Sequence, residues 1–356
     1  MSIRNLRHTV IAAISSSICC VSAVAQELAY DEMHFPPVSL FASFPDERTI
    51  ALCEALSEKS ACVEDFITPR MFYETFSETS VFARTAASED GFDYEVLIAN
   101  TLVPSTAHND ANTLETQFDV TWRGIPLASY AFNKVVETVE QNNERDLAEF
   151  FTEQFLAQAH SENIFTADQL YMTLKASNYP RDLKIPDAIQ AFELYDMQLY
   201  HDPLQGAVAR YAHPQYPRDI IDVFVYPIFQ MTSEAEDSTE VQLKRELEKE
   251  IDDIQLIAKS RNIDSVTVGQ IRPIDWRVNT AEYTGMFFDV QAEDEEGEPL
   301  FTTTYLFKSK DKFIKFSANF PGRIADTMVK DALPQIEVPD ASPLMRDLRT
   351  PNTPQS

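Results

Sequence analysis

The sequence predicts an α+β chain of two domains, each a mainly antiparallel sheet covered by helices. Three observations carry this. The chain has 356 residues, more than one ordinary core accommodates at about 150 residues per domain. Phe118, Val120 and Trp122 alternate with Asp119, Thr121 and Arg123, Gly124 permits a turn, and Leu127 to Val136 returns, which is the pattern of a hairpin with one buried face. Between Asn178 and Pro186 the pattern breaks, with Pro180 and Pro186 bracketing a charged stretch, as at a domain boundary. The expected organisation is a leader over 1–25, an N-terminal domain over 26–180, a C-terminal domain over 186–338 and a disordered, proline-rich tail over 339–356.

The leader reads as a cleavable signal peptide. Arg4, Arg7 and His8 precede an apolar run from Val10 to Ala25, and Ala23 and Ala25 form an A-x-A cleavage signal before Gln26. The run is shorter than the roughly 20 apolar residues that span a bilayer, and Ser15, Ser16, Ser17 and Ser22 weaken it further. Lipidation at Cys19 or Cys20 would need a small residue before the cysteine, where Ile18 and Cys19 stand. Cleavage predicts a periplasmic, soluble protein, and it removes two arginines and no acid, so the net charge of −28 becomes −30. A field of that sign repels phosphate backbones and anionic lipid, so no nucleic-acid partner is expected.

In order, Val38 to Phe44 reads as a strand, Asp46 caps a helix through Leu56, and Thr68 with Pro69 starts a helix whose apolar side holds Met71, Phe72 and Phe76. Phe92 to Val103 reads as a strand, followed by the hairpin. Leu147, Phe150, Phe151 and Phe155 recur at helical spacing, so 143–160 is an amphipathic helix laid on that sheet. The C-terminal domain begins with strands around Phe192 to Tyr195, Ala207 to Tyr211 and Asp222 to Ile228. Leu243, Leu247, Ile251, Ile254 and Ala258 predict a helix over 236–261, with Lys244, Glu246, Glu248, Lys249 and Asp253 as its solvated face. A meander over Thr284 to Ala292, Leu300 to Phe307 and Lys312 to Phe320 precedes a closing helix near 322–333.

With Cys19 and Cys20 in the leader, Cys53 and Cys62 remain and are expected to form a disulfide in an oxidising compartment. So short a loop contributes on the order of 2–3 kcal/mol. Only seven glycines occur, and no Walker loop, G-x-G-x-x-G, G-x-S-x-G or H-E-x-x-H is present. His201 beside Asp202 has the composition of an oriented base, but sequential neighbours at a strand end point apart. Ser309 and Lys312 match S-x-x-K in a hairpin turn, where that motif needs a helix. The acidic turns before Gly91 and Gly297 fail the calcium-loop pattern, since Ala86 and Ala292 stand where its first aspartate belongs. No catalytic residue, metal or cofactor is therefore assigned. One local charge reversal stands out: Lys308, Lys310, Lys312, Lys315 and Arg323, interleaved with phenylalanines, form a candidate patch for an anionic ligand or acidic partner. The alternative is a basic hairpin neutralising the acidic helix.

The segments HDPLQGAVARY (His201 to Tyr211), DVFVYPI (Asp222 to Ile228) and YLFKSKDKFIKFSANFP (Tyr305 to Pro321) resemble an uncharacterised class of exported proteobacterial proteins. In that order they are similar to the PsbP/Mog1-like α/β/α sandwich, whose members mostly serve as binding or assembly accessories. The N-terminal FDYEVLIANTL and VTWRGIPLASY are similar to the α/β domains of Gram-negative envelope lipoproteins of the curli-secretion type, although the lipidated cysteine is missing. The export signal, two cores and the lack of a recognisable catalytic constellation lead to the expectation of a monomeric or weakly associating periplasmic binding or envelope-assembly accessory, its partner an envelope protein or small ligand. The alternatives are a periplasmic hydrolase with an unrecognised site and a salt-adapted envelope protein whose acidity matters more than any ligand.

Overall fold

The computed structural model describes residues 34–44, 47–54, 62–87, 91–104, 112–136, 143–229, 238–260, 265–293 and 299–349. The expected signal peptide, the acidic residues of both glycine turns and the tail beyond 349 lie outside them. The chain divides into two units between Thr173 and Leu174, a few residues before the proline-bracketed break.

The first unit runs β1 (Val38–Phe41), α1 (Glu47–Glu54), β2 (Val63–Glu64), α2 (Pro69–Thr79), β3 (Thr85–Ala87), β4 (Tyr94–Val103), β5 (Asn112–Trp122), β6 (Ile125–Val136), α3 (Glu144–Ser161) and α4 (Ala167–Thr173). Its sheet has the order β3-β1-β4-β5-β6, with β2 pairing β4. Among the described strands, β1 pairs in parallel with β3 and β4 and the other pairings are antiparallel. The β5–β6 hairpin closes on Arg123 and Gly124, both left-handed (φ 49° and 76°), the conformation whose twist matches paired antiparallel strands. Phe118, Val120 and Trp122 are buried as the alternation predicts, although Thr121 between them is buried too, and Phe118 meets Phe72 and Phe76. Phe118 stacks on Phe155 with centroids 4.7 Å apart. Cys53 and Cys62 sit at disulfide distance, with sulfurs 2.16 Å and Cα atoms 6.1 Å apart.

The second unit runs α5 (Tyr179–Asp182), β7 (Ala188–Ile189), β8 (Phe192–Leu199), β9 (Ala207–Ala212), β10 (Ile220–Pro227), α6 (Thr239–Ser260), β11 (Thr267–Val268), β12 (Arg272–Val278), β13 (Ala281–Glu293), β14 (Pro299–Ser309), β15 (Lys312–Ala318), α7 (Gly322–Ala332), a 3-10 turn and α8 (Pro343–Arg349). The sheet order is β11-β13-β14-β15-β10-β9-β8-β7, with β12 pairing β13, and every pairing is antiparallel. Leu243, Leu247 and Ile254 of α6 pack on Met286, Phe288, Leu306 and Phe313. The opposite face carries α7, where Tyr305 donates to Asp326 Oδ1 at 2.7 Å. Helices thus cover both faces of an antiparallel sheet, and the α+β class holds for both units.

Two expectations change. β12 escaped the reading because Ile274 is its one fully buried residue, so Arg272, Pro273, Asp275 and Arg277 hide the strand period. The tail is ordered through 349: Leu344 and Met345 are buried, Arg349 donates to Ile228 O at 2.7 Å and to Asp311 Oδ2 at 3.1 Å, and Glu337 and Lys184 exchange backbone hydrogen bonds. Prolines at 339 and 343 suppress periodicity without preventing packing, because a proline fits the first turn of α8.

Candidate functional site

The second unit holds a cleft of about 410 Å³ where α6 meets β10 and β15. Its floor follows from strand alternation. Phe224 and Tyr226 of β10 lie opposite Lys315 and Phe313 of β15, so all four side chains share the α6 face. One wall is the turn 201–206. Asp202 Oδ1 accepts from the Leu204 amide at 2.8 Å, and Gly206 closes the turn at φ 71°. A Cβ on Gly206 would run into the Val225 carbonyl and the Tyr226 Cα, so glycine is what lets this turn lie flat against β10. The other wall is α6, on which Glu246, Glu250 and Asp253 follow at spacings of four and three residues and therefore line one face.

The polar groups are mutually engaged. Lys315 pairs with Glu250 at 2.6 Å, both ends largely removed from solvent at 6 % and 15 % exposure. The Lys315 ammonium also lies 4.5 Å from the centroid of the Phe224 ring, a cation–π contact. Tyr226 donates to Glu246 Oε1 at 2.9 Å. Burial, reinforced by the Glu246 and Glu250 carboxylates, pushes the Tyr226 phenol well above its ordinary pKa, so it remains a neutral donor. Such an arrangement offers aromatic faces and hydrogen-bond acceptors to a bound molecule. It presents no nucleophile held against a base.

A second hollow, of about 530 Å³, lies by β8 and β9. Arg210 there is bidentate on the buried Asp222, at 2.8 and 2.9 Å. His213 Nδ1 accepts from the amides of Gln215 and Tyr216, both at 3.2 Å, which ties the imidazole to its own turn.

Comparison with known proteins adds resemblance and no family. No family model matches the chain, and no curated protein matches it. Among solved structures, the chain is similar to the cyanobacterial PsbP of Synechocystis, at 11 % identity and a TM-score of 0.27 over 44 % of this chain and 92 % of that one. A Bacteroides thetaiotaomicron protein matches at 11 % identity and a TM-score of 0.24 over 44 % and 48 %. A Pseudomonas aeruginosa protein of unknown function matches at 13 % identity and a TM-score of 0.17 over 40 % and 78 %. The similarity of the N-terminal domain to curli-secretion lipoproteins draws no support from these matches.

The structure does not gather the five basic residues of the predicted patch on one surface. Lys308 donates to Gln242 and Lys315 to Glu250, both on α6. Lys310 and Lys312 instead reach Val338 O, Asp340 and Asp311 on the other side. Lys312 is fully buried, and that burial lowers its pKa while Asp311 opposes the shift. Arg323 is exposed in the first turn of α7. Alternation along β15 separates Lys312 from Lys315, and the turn between the strands takes Lys310 away from Lys308. Ser309 and Lys312 face each other across the β14–β15 register rather than along a helix. His201 is exposed outside both hollows, whereas Asp202 lines the cleft and His213 the second hollow. Of the acids of the cleft, Glu246 and Asp253 were legible only as part of the solvated face of the helix and Asp202 only as the neighbour of His201, while Glu250 was not singled out. Glu246 and Asp253 prove half-buried, while Lys244 and Glu248 form an exposed pair.

Proposed function

We propose that this chain is an exported, periplasmic binding or envelope-assembly accessory that holds a ligand or a partner segment in the cleft beside α6 and performs no chemistry on it. The observation that carries this reading is the cleft itself, a concave site with aromatic residues in its floor and a few polar groups in its walls, in the size range of small-ligand pockets. The leader over residues 1–25 supplies the address. Among the described residues, no helix is long and apolar enough to cross a membrane.

Crosslinking in intact cells followed by mass spectrometry tests both halves. The mature chain is expected to begin at Gln26 and to be recovered with a bound species that the double variant Glu246→Gln/Asp253→Asn no longer retains. Turnover of ester or peptide substrates, abolished by the same variant, would replace binding by hydrolysis.

A further inference from the structure

We infer that the second hollow, by β8 and β9, binds a small zwitterion of the amino-acid class with an apolar side chain. The inference goes beyond the role proposed for the cleft, with which the hollow shares no lining residue. Strand register builds its floor: Glu193 of β8, Ala212 of β9 and Ile220 of β10 lie in one cross-strand row, and Arg210 shares their face of the sheet. The charge of Arg210 is answered by the bidentate Asp222, which is itself buried. Glu193 and Arg218 line the same hollow, yet the side chain of neither makes an ion pair or hydrogen bond, with the other or with any described residue. Opposite charges held apart across one concavity are completed by a ligand that carries both an ammonium and a carboxylate. A plain anion would leave Glu193 facing it, and a plain cation would leave Arg218.

A separate observation places a second donor beside Arg218. His213 Nδ1 accepts from the amides of Gln215 and Tyr216, both at 3.2 Å, so the imidazole carries its proton on Nε2, across the ring from its own turn. That N–H meets no acceptor among the described residues, and it complements the guanidinium fork in receiving a carboxylate. The loop presenting both donors is fixed without a ligand. The His213 amide donates to Asp219 O at 3.2 Å and the Asp219 amide to Tyr216 O at 2.8 Å, while Asn319 accepts from the Ile220 amide at 3.0 Å and donates to Arg218 O. Donors set in place beforehand spare the ligand the cost of ordering them. An apolar surface lies alongside: Tyr195 is 76 % exposed, and Pro214 and Pro217 are exposed with it. These rings offer a face to an apolar side chain once its charged end is seated. The volume of about 530 Å³ accommodates an amino acid of aromatic size.

Isothermal titration of the purified chain tests the inference, with L-phenylalanine and L-leucine as ligands and N-acetyl-L-phenylalanine and L-phenylalanine amide as forms lacking one charge each. Saturable one-to-one binding of L-phenylalanine is expected, with both derivatives weaker by about tenfold or more, since each forfeits a charge-assisted contact. Arg218→Gln is expected to weaken L-phenylalanine by a similar factor and leave the amide unchanged, and Glu193→Gln to weaken L-phenylalanine and leave the N-acetyl form unchanged. Both replaced side chains are exposed, so the variants keep the parent melting temperature. Asp252→Asn, an exposed acid on α6, leaves binding unchanged, as does Glu246→Gln/Asp253→Asn in the cleft, which keeps failure of the cleft distinguishable from failure here. No binding of either amino acid, equal affinity for all forms of phenylalanine, or equal weakening by Asp252→Asn overturns the inference. N-acetyl-L-phenylalanine bound as tightly as L-phenylalanine and lost only in Arg218→Gln overturns the zwitterion in favour of a simple anion.

Discussion

Lys315 shows how a single side chain settles what a position does. In sequence it belongs to a run of basic residues. In the fold it is desolvated against Glu250 and Phe224. Taking two charges out of water costs several kcal/mol per ion, which their attraction offsets only when both are present. Lys315→Met is therefore expected to lower the unfolding free energy by about 3 kcal/mol, since it leaves a largely buried carboxylate behind. Lys315→Met combined with Glu250→Leu is expected to recover most of that loss. Urea unfolding of the two singles and the double measures the coupling, and additive single effects would show that the pair is solvated rather than buried.

At the scale of elements, the cleft depends on a turn meeting a strand. Gly206 closes the 201–206 turn in the left-handed region and packs where a methyl group would collide with β10. Gly206→Ala is expected to cost on the order of 3 kcal/mol, combining backbone strain with overpacking. Thermal unfolding reads the loss, and an unchanged melting temperature would mean that the turn can move off β10. The same scale explains the division of the lysines: β15 sends Lys312 and Lys315, three residues apart, to opposite faces, while Lys310 sits in the left-handed turn between β14 and β15, outside the alternation of either strand. It also explains the carboxylates of α6, whose helical period turns Glu246, Glu250 and Asp253 toward the sheet and leaves Lys244 and Glu248 in water.

Over the whole molecule, burial acts on phenols in both units. Tyr130, Tyr179, Tyr211, Tyr226 and Tyr305 all have pKa values raised, first by desolvation and then by nearby carboxylates. Because the folded values lie above the unfolded value of about 10, these groups favour folding fully below that pH. Their contribution is lost as pH rises from there toward the folded values, since only the unfolded chain then releases their protons. These five are therefore expected to release their protons only as the protein unfolds. Phenolate absorbance followed beside circular dichroism checks this, and a single titration completed before any loss of structure would refute it.

The α+β class, the β5–β6 hairpin, the packing faces of α3 and α6 and the Cys53–Cys62 pair were legible in sequence. Each depends on local periodicity or on a count of cysteines, and both can be read along the chain without knowing what packs across it. The strand β12 and the ordered tail were not legible, because Arg272 to Val278 offers a single buried position and 339–349 is held by partners as distant as Ile228. The candidate site was hidden for the same reason. Glu246, Phe224, Gly206 and Lys315 come from a helix, two strands and a turn, and each read alone is an ordinary surface acid, core aromatic, turn glycine or basic residue. By itself the sequence determined the charge and the alternation that builds each sheet. Only the tertiary structure decided which charges were taken out of water, because desolvation depends on what packs across a sheet rather than on what lies next in the chain.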